Sequence, residues 1–437
     1  MDTRAVAFAE LPPVAPPHRR LKVGVLVDLP RGPKSGGHVR CWERLAEAAL
    51  NYPHALDLTV HFMGVESGRC DLGDNVRYVT ETPAFSTERL RFLSHVPDHT
   101  DLAPFHPRLA RMLPDYDVIH TTDAYFAYAR TAMKVGRRKG IPIVNSVHTN
   151  TPEYARIFTV DTIERSLGNG IAARILLGRF RVPHRIEARM SAQLAAYQRR
   201  CAFALVSRPG ELEALRLALG GRASLLRRGI DHLQFNPAKR DRAWLAAAFG
   251  ISPERVVVMY AGRLNRGKNI LLLVDAIEHL LARGVDVHLL CAGEGDLHMA
   301  IERRLGSRVT CPGAIDSPDQ LARLYACADL FAFPSCIEES ANVVLESLAS
   351  GLPLLVAREG SMGRMVDRAT GMILSGNESG PWIEAIAALA RDPARRRDMG
   401  RAARRYAERM VPSWATVLAE DLLPYWERAA HEAASAR

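Results

Sequence analysis

Short, uninterrupted apolar runs alternate with amphipathic stretches along most of the chain. In the first half the runs are 21–29, 56–65, 116–122, 141–149 and 202–207. In the second half they are 255–262, 285–293, 308–314, 330–335 and 352–357. Between them lie segments such as 269–284, whose apolar residues recur at helical spacing. A run apolar at every position suits a strand buried on both faces. Such strands alternating with helices predict βαβ units and parallel sheets. Five runs fall on each side of residue 240. The pattern therefore predicts an α/β chain of two Rossmann-like, doubly wound domains facing each other across a cleft. The polar segment 235–242, with Pro237, is the natural divide. The reading is a loose tail over 1–20, a first domain over 21–236 and a second over 237–411. A final helix over 412–437, after the break at Pro412, is expected to pack back on the first domain.

In open α/β sheets, ligands bind at the carboxyl ends of the strands, so the residues just after each run carry the candidate chemistry. After 255–262 come Arg263 and, five residues on, Lys268 at the start of a helix. Two cations beside a helix N-terminus suit an anion, and a diphosphate above all. Lysine is informative in a chain with 52 arginines and 6 lysines. After 330–335, a loop carrying Glu338 leads into a helix near Asn342. The amides of 341–344, among them those of Asn342, Val343 and Val344, are then free for a phosphate. Glu346, one turn in, can accept from ribose hydroxyls, and Glu338 from a sugar. Both glutamates also serve as plain helix-start acids. Gly293-Glu294 in the turn CAGEGD either holds a nucleotide's backbone or makes an ordinary tight turn.

The series GRLNRGKN, GEGD, ADLFAFPS and a Glu-x7-Glu pair within EESANVVLESLASGLP resembles the retaining nucleotide-sugar glycosyltransferases of family 4, of GT-B fold. RRGIDHLQFNP is similar to the segment between that family's two domains, and the likeness covers roughly 21–410. NVVLESLASG and SVHTNTPEY most resemble the subgroup of sulfoquinovosyl-diacylglycerol synthases and lipid mannosyltransferases. The resemblance implies a hexosyltransferase with a nucleoside diphosphate sugar as co-substrate and no metal or other cofactor. It implies Arg263 and Lys268 on the diphosphate, Glu338 on the sugar and Glu346 on the ribose. Ser340 and Ala341 stand where the subgroup usually has an aromatic residue and a glycine, which reshapes the sugar pocket and puts donor identity in doubt. A sugar-nucleotide epimerase of the same fold, or a silent sugar-nucleotide binder, are the alternatives.

In the first half, Gly36-Gly37 opens a helix with Arg40 in its first turn. A glycine turn there can cradle a phosphate, and in the resembling family this loop faces the donor diphosphate and the acceptor. His148 ends the run 141–149, and the resemblance points to it as the sugar contact. His120, ending another run near Asp123, is its rival. Asp115-Tyr116-Asp117 spells a metal-diphosphate motif of the other glycosyltransferase fold, but it precedes a run rather than ending one. It reads as turn and strand entry, with no metal site.

The 437 residues are 48% hydrophobic and 24% charged, a globular balance. No apolar run reaches the ~18 residues of a membrane span, and the start lacks a signal peptide's apolar core, so a cytoplasmic, bacterial protein is expected. Seven cysteines without C-x-x-C spacing read as reduced core thiols. The net charge of +10 concentrates in 151–250, with 17 basic and 8 acidic residues. Within it, 161–200 holds eight arginines and three acids. This segment either lies on an anionic membrane surface, suiting a peripheral enzyme with a lipid or glycan acceptor, or simply exposes its arginines. No recognised nucleic-acid module or aromatic platform accompanies the charge, so nucleic acid is not the expected partner.

Overall fold

The computed structural model describes residues 19–32, 35–89, 99–168, 170–336 and 342–436. The expected tail lies outside these apart from Arg19 and Arg20. By contacts the chain divides into two units. The first comprises residues up to Arg31, His38–Arg227 and Ala415–Arg437; the second comprises Gly32–Gly37 and Arg228–Trp414.

The first unit holds an eight-stranded sheet: β1 (Leu21–Pro30), β2 (Leu56–Met63), β3 (Gly68–Gly73), β4 (Val76–Glu81), β5 (Val118–Thr121), β6 (Ile143–Val147), β7 (Phe203–Val206) and β8 (Ala223–Leu225). Their spatial order is β3-β4-β2-β1-β5-β6-β7-β8, parallel except for the edge strand β3. β1, β2 and β5–β7 are the apolar runs, and their central residues are buried because helices cover both faces. Three strands escape the pattern. β3 is largely exposed, β4 buries only alternate residues at its start, and β8 has three residues. The final helix Leu423–Ser435 belongs to this unit, with Trp426 fully buried. Asp421, just before it, accepts from the Arg227 backbone N–H at 2.8 Å and from its guanidinium at 2.7 Å.

The second unit holds six parallel strands: β9 (Val256–Ala261), β10 (Val287–Ala292), β11 (Val309–Gly313), β12 (Leu330–Phe333), β13 (Leu354–Ala357) and β14 (Gly371–Leu374). Their order is β11-β10-β9-β12-β13-β14. One core joins both sheet faces to helices such as Ile270–Ala282, whose apolar stripe is buried. β14 adds a strand beyond the five expected. The contact boundary falls at Arg227/Arg228 rather than 236/237. The reason is that 228–235 pairs with the end of this unit: Ile230 N–H donates to Pro412 O at 3.0 Å, and His232 Nε2 lies 2.9 Å from Val411 O.

Candidate functional site

In the second unit, the strand order runs one way from β9 through β10 to β11 and the other way from β12 to β14. Carboxyl-end loops on either side of such a reversal diverge and leave a crevice. β9 exits through Gly262 into Arg263. Tyr260 Oη donates to Arg263 O at 2.9 Å, pinning the backbone there. A 3-10 turn, Arg266–Lys268, follows, and Asn265 Oδ1 caps it by accepting from Lys268 N–H at 3.0 Å. Asn269 then adopts a left-handed φ of 56°. Its Nδ2 donates to Pro334 O at 3.2 Å and to Gly376 O at 2.7 Å. One side chain thus ties together the loops after β9, β12 and β14. Sequence reading passed over Asn269, though its place after the lysine in RGKN was a signal. Arg263 and Lys268 are both half-buried beside this tie.

The glycine loop groups with these residues. A Cβ on Gly36 would lie 3.6 Å from the Arg263 guanidinium. Asn342 Nδ2 donates to Gly37 O at 3.5 Å. The helix Asn342–Ala349 places the amides of Asn342, Val343 and Val344 in its first turn. The Val344 side chain is buried in the core and Val343 packs against it, so only their backbones are available to a ligand. Glu346 is half-buried beside Tyr325. Burial, and then the Glu346 carboxylate, hold the Tyr325 hydroxyl well above its ordinary pKa. Glu338, Ser340 and Ala341 lie outside the described residues.

Gly293 has a packing reason that the sequence did not show. Its φ is 148°, and an added Cβ would sit 2.0 Å from Gly262 O. Leu264 N–H donates to Glu294 O at 2.8 Å. The turn after β10 therefore props the Arg263 loop from behind, while the Glu294 side chain is exposed.

In the first unit, His148 is 7% exposed. Its ring stacks on His38, with centroids 4.5 Å apart. Its Nε2 lies 2.8 Å from Ser146 Oγ and receives Trp42 Nε1–H at 3.3 Å. Ser146 Oγ is also 2.8 Å from His120 Nε2, and Trp426 Nε1–H donates to His120 Nδ1 at 2.9 Å. The two histidines read as rivals are thus joined. Burial, then nearby His38, push His120 down to a pKa of about 3. Arg40 ion-pairs with Glu43 at 3.0 Å, and Glu43 also takes Arg31 at 2.8 Å. Asp117 accepts from Lys22 N–H at 2.9 Å and Arg19 at 2.6 Å, at the entry to β5. Among the described residues, His298, Glu302 and Cys311, in the second unit, gather potential metal-ligand atoms within 4.8 Å of one another; Asp115 and Asp117 are not among them.

The basic segment forms helices Thr151–Leu167 and Val182–Gln198 with a π-helical turn, Ile175–Arg179, between them. Leu167, Ile171, Ile175 and Phe180 stand 40–77% exposed, next to exposed Arg174, Arg179 and Arg181. No helix among the described residues is long and apolar enough to cross a membrane.

The two parallel sheets and their strand-end loops define a GT-B fold. The Anabaena protein HepE, solved in complex with UDP, superposes with a TM-score of 0.60 over 95% of this chain and all of its own, at 18% identity. Residues 255–392, the body of the second unit, match the family model described as glycosyl transferases group 1. Over these residues the chain is similar to the group 1 glycosyl transferases. D-inositol 3-phosphate glycosyltransferases are among its relatives. One from an Arthrobacter species is 33% identical over 41% of this chain and 44% of its own length. One from Nocardia farcinica is 28% identical over 77% and 73%. The sulfoquinovosyl transferase of Arabidopsis thaliana is 24% identical over 69% and 54%. The chain thus spans from under half to about three quarters of the length of these relatives.

Proposed function

We propose that the protein transfers a hexose from a nucleoside diphosphate sugar to an acceptor hydroxyl, with retention at the anomeric carbon. The observation that carries this reading is the pairing of Arg263 and Lys268 on one braced loop where the strand order reverses. Negative charge grows on the diphosphate as the sugar–phosphate bond breaks. Preplaced cations that need not reorganise stabilise that charge where it develops. The first-turn amides of Asn342–Val344 add donors for phosphate oxygens. Glu346 accepts from the ribose hydroxyls. Glu338 and His148 keep the sugar-binding roles that the family resemblance assigns. No residue is assigned as a covalent nucleophile; the leaving phosphate takes the acceptor's proton on the same face. UDP in the HepE structure supports a nucleotide at such a fold, and the relatives' names support a hydroxyl-bearing acceptor.

The acceptor we favour is a membrane lipid or lipid-linked glycan, reached from the cytoplasmic face. Four exposed apolar side chains, interspersed along the 161–200 segment with exposed arginines, suit an anionic bilayer surface.

Calorimetric titration of nucleoside diphosphates and their sugars tests the core of the reading. Arg263→Ala and Lys268→Ala should each weaken binding tenfold or more, with unchanged circular dichroism. Normal affinity in both variants would remove the diphosphate assignment.

A further inference from the structure

We propose that Trp426, His120 and Ser146 form a relay of hydrogen bonds that, with Trp42, decides which ring nitrogen of His148 carries its proton, so that His148 acts as an Nδ1–H donor. The functional half of this proposal rests on the reading of His148 as a sugar contact; the tautomer itself does not.

The direction of every bond follows from its chemistry. An indole nitrogen only donates. Trp426 Nε1–H therefore makes His120 Nδ1 an acceptor, at 2.9 Å. His120 is fully buried and held neutral, so its single proton must sit on Nε2. That nitrogen donates to Ser146 Oγ at 2.8 Å. The serine hydroxyl has one proton of its own, and it faces His148 Nε2 at 2.8 Å. Trp42, again a pure donor, points at the same nitrogen from 3.3 Å. Two donors converge on His148 Nε2, which must therefore be bare. The remaining proton is placed on Nδ1, the opposite of the tautomer that a free histidine side chain prefers in water.

Topology makes this construction possible. Ser146 and His148 are two residues apart at the end of β6, so they share one face. His120 sits on the adjacent β5. Trp42 comes from the helix Gly37–Ala49 and Trp426 from the final helix, over 300 residues from His120 in sequence. Trp42, His120, Ser146 and Trp426 have no exposed surface. Water is not there to substitute for a missing partner, and in a dry site a mismatched N–H pair is costly. The consequence for function is selectivity. An Nδ1–H donor recognises an acceptor oxygen on its ligand. The final helix is then a positioning element for the sugar contact as well as a structural closure.

The test uses the full chain labelled with 15N-histidine, without ligand, by long-range 1H–15N correlation. The His148 signals are assigned by their loss in His148→Asn. The expected spectrum shows Nδ1 protonated and Nε2 bare. Ser146→Ala combined with Trp42→Phe should move most of the proton to Nε2. Trp426→Phe, which keeps the bulk, should broaden or shift the same signals. Protonated Nε2 or a charged ring in the unmodified chain would overturn the proposal. So would an unchanged His148 pattern in both the double variant and Trp426→Phe. If the double variant fails to fold, Trp426→Phe and the unmodified chain still decide. For turnover, His148→Asn, which keeps a donor near the Nδ1 position, should retain at least tenfold more kcat than His148→Leu at similar nucleotide affinity. Equal loss in the two would overturn the donor role. A confirmed tautomer in a chain that binds no nucleotide sugar would leave the relay standing and remove the transferase reading instead.

Discussion

Gly293→Ala isolates the brace behind the cationic loop. Gly293 sits at φ 148°, and a Cβ there would lie 2.0 Å from Gly262 O and 2.8 Å from Gly262 C. Ordinary contact begins near 3.4 Å, so the Gly262 carbonyl must retreat by more than an ångström. The retreat is resisted by the bonds from Gly262 N–H to Ala292 O and from Leu264 N–H to Glu294 O, at 2.9 and 2.8 Å. A side chain at such a φ costs about 1–3 kcal/mol, and overpacking a tight contact a further ~1–3 kcal/mol. Gly250→Ala is the internal control. Its φ is 68°, but no atom lies within 4 Å of the new Cβ. It should lose only the left-handed penalty of about 1–2 kcal/mol. Urea denaturation followed by circular dichroism should rank Gly293→Ala well below Gly250→Ala. Because Gly262 directly precedes Arg263, nucleoside diphosphate affinity should also fall in Gly293→Ala and stay unchanged in Gly250→Ala. Equal stability loss in the two variants would refute the brace.

Three further outcomes are expected. His61 is fully buried, and burial, followed by nearby His106, pushes it down to about 3. The unfolded chain, with an ordinary histidine near 6.5, then holds more protons between those values. This stabilisation is complete above pH ~6.5 and is lost as pH falls toward ~3, about 2 kcal/mol of it by pH 5. The unfolding free energy of the unmodified chain should fall more steeply between pH 6 and pH 4 than that of His61→Gln, by about 1.4 kcal/mol per pH unit; parallel slopes would count against the buried neutral ring. Sugar transfer should persist in EDTA, since the proposed diphosphate contacts are cations and amides; strict metal dependence would overturn that assignment. Binding to vesicles containing anionic lipid should exceed binding to zwitterionic ones and drop in Ile171→Ser/Phe180→Ser; indifference to lipid charge and to these changes would remove the membrane surface.

The strands that could be read from the chain are those whose own burial wrote the pattern. β1, β9 and β10 sit in sheet interiors, covered on both faces, so nearly every residue must be apolar, and an apolar run is visible without knowing its neighbours. β3, β8 and β14 were invisible for the complementary reason. Each lies at a sheet edge, is short or partly exposed, and acquires its identity only by pairing with a strand already in place. β4 alternates weakly between buried and half-buried residues, and its partner β2 makes it a strand.

The candidate site divides in the same way. Arg263, Lys268 and the glycine turns were legible because a strand's end, a cation and a glycine are all local facts. That Gly293 supports the backbone of Gly262 was not, because the two are 31 residues apart and meet only when β9 and β10 lie side by side. Asn269 could not reveal that it binds loops 65 and 107 residues further on. His120 and His148 looked interchangeable along the chain, each a histidine ending an apolar run. Residue type and periodicity determined that the chain would form two parallel-sheet units with charged strand ends. Long-range packing alone decided which loops brace one another and which partners the nitrogens of a buried imidazole meet, because those depend on residues that the chain brings together only on folding.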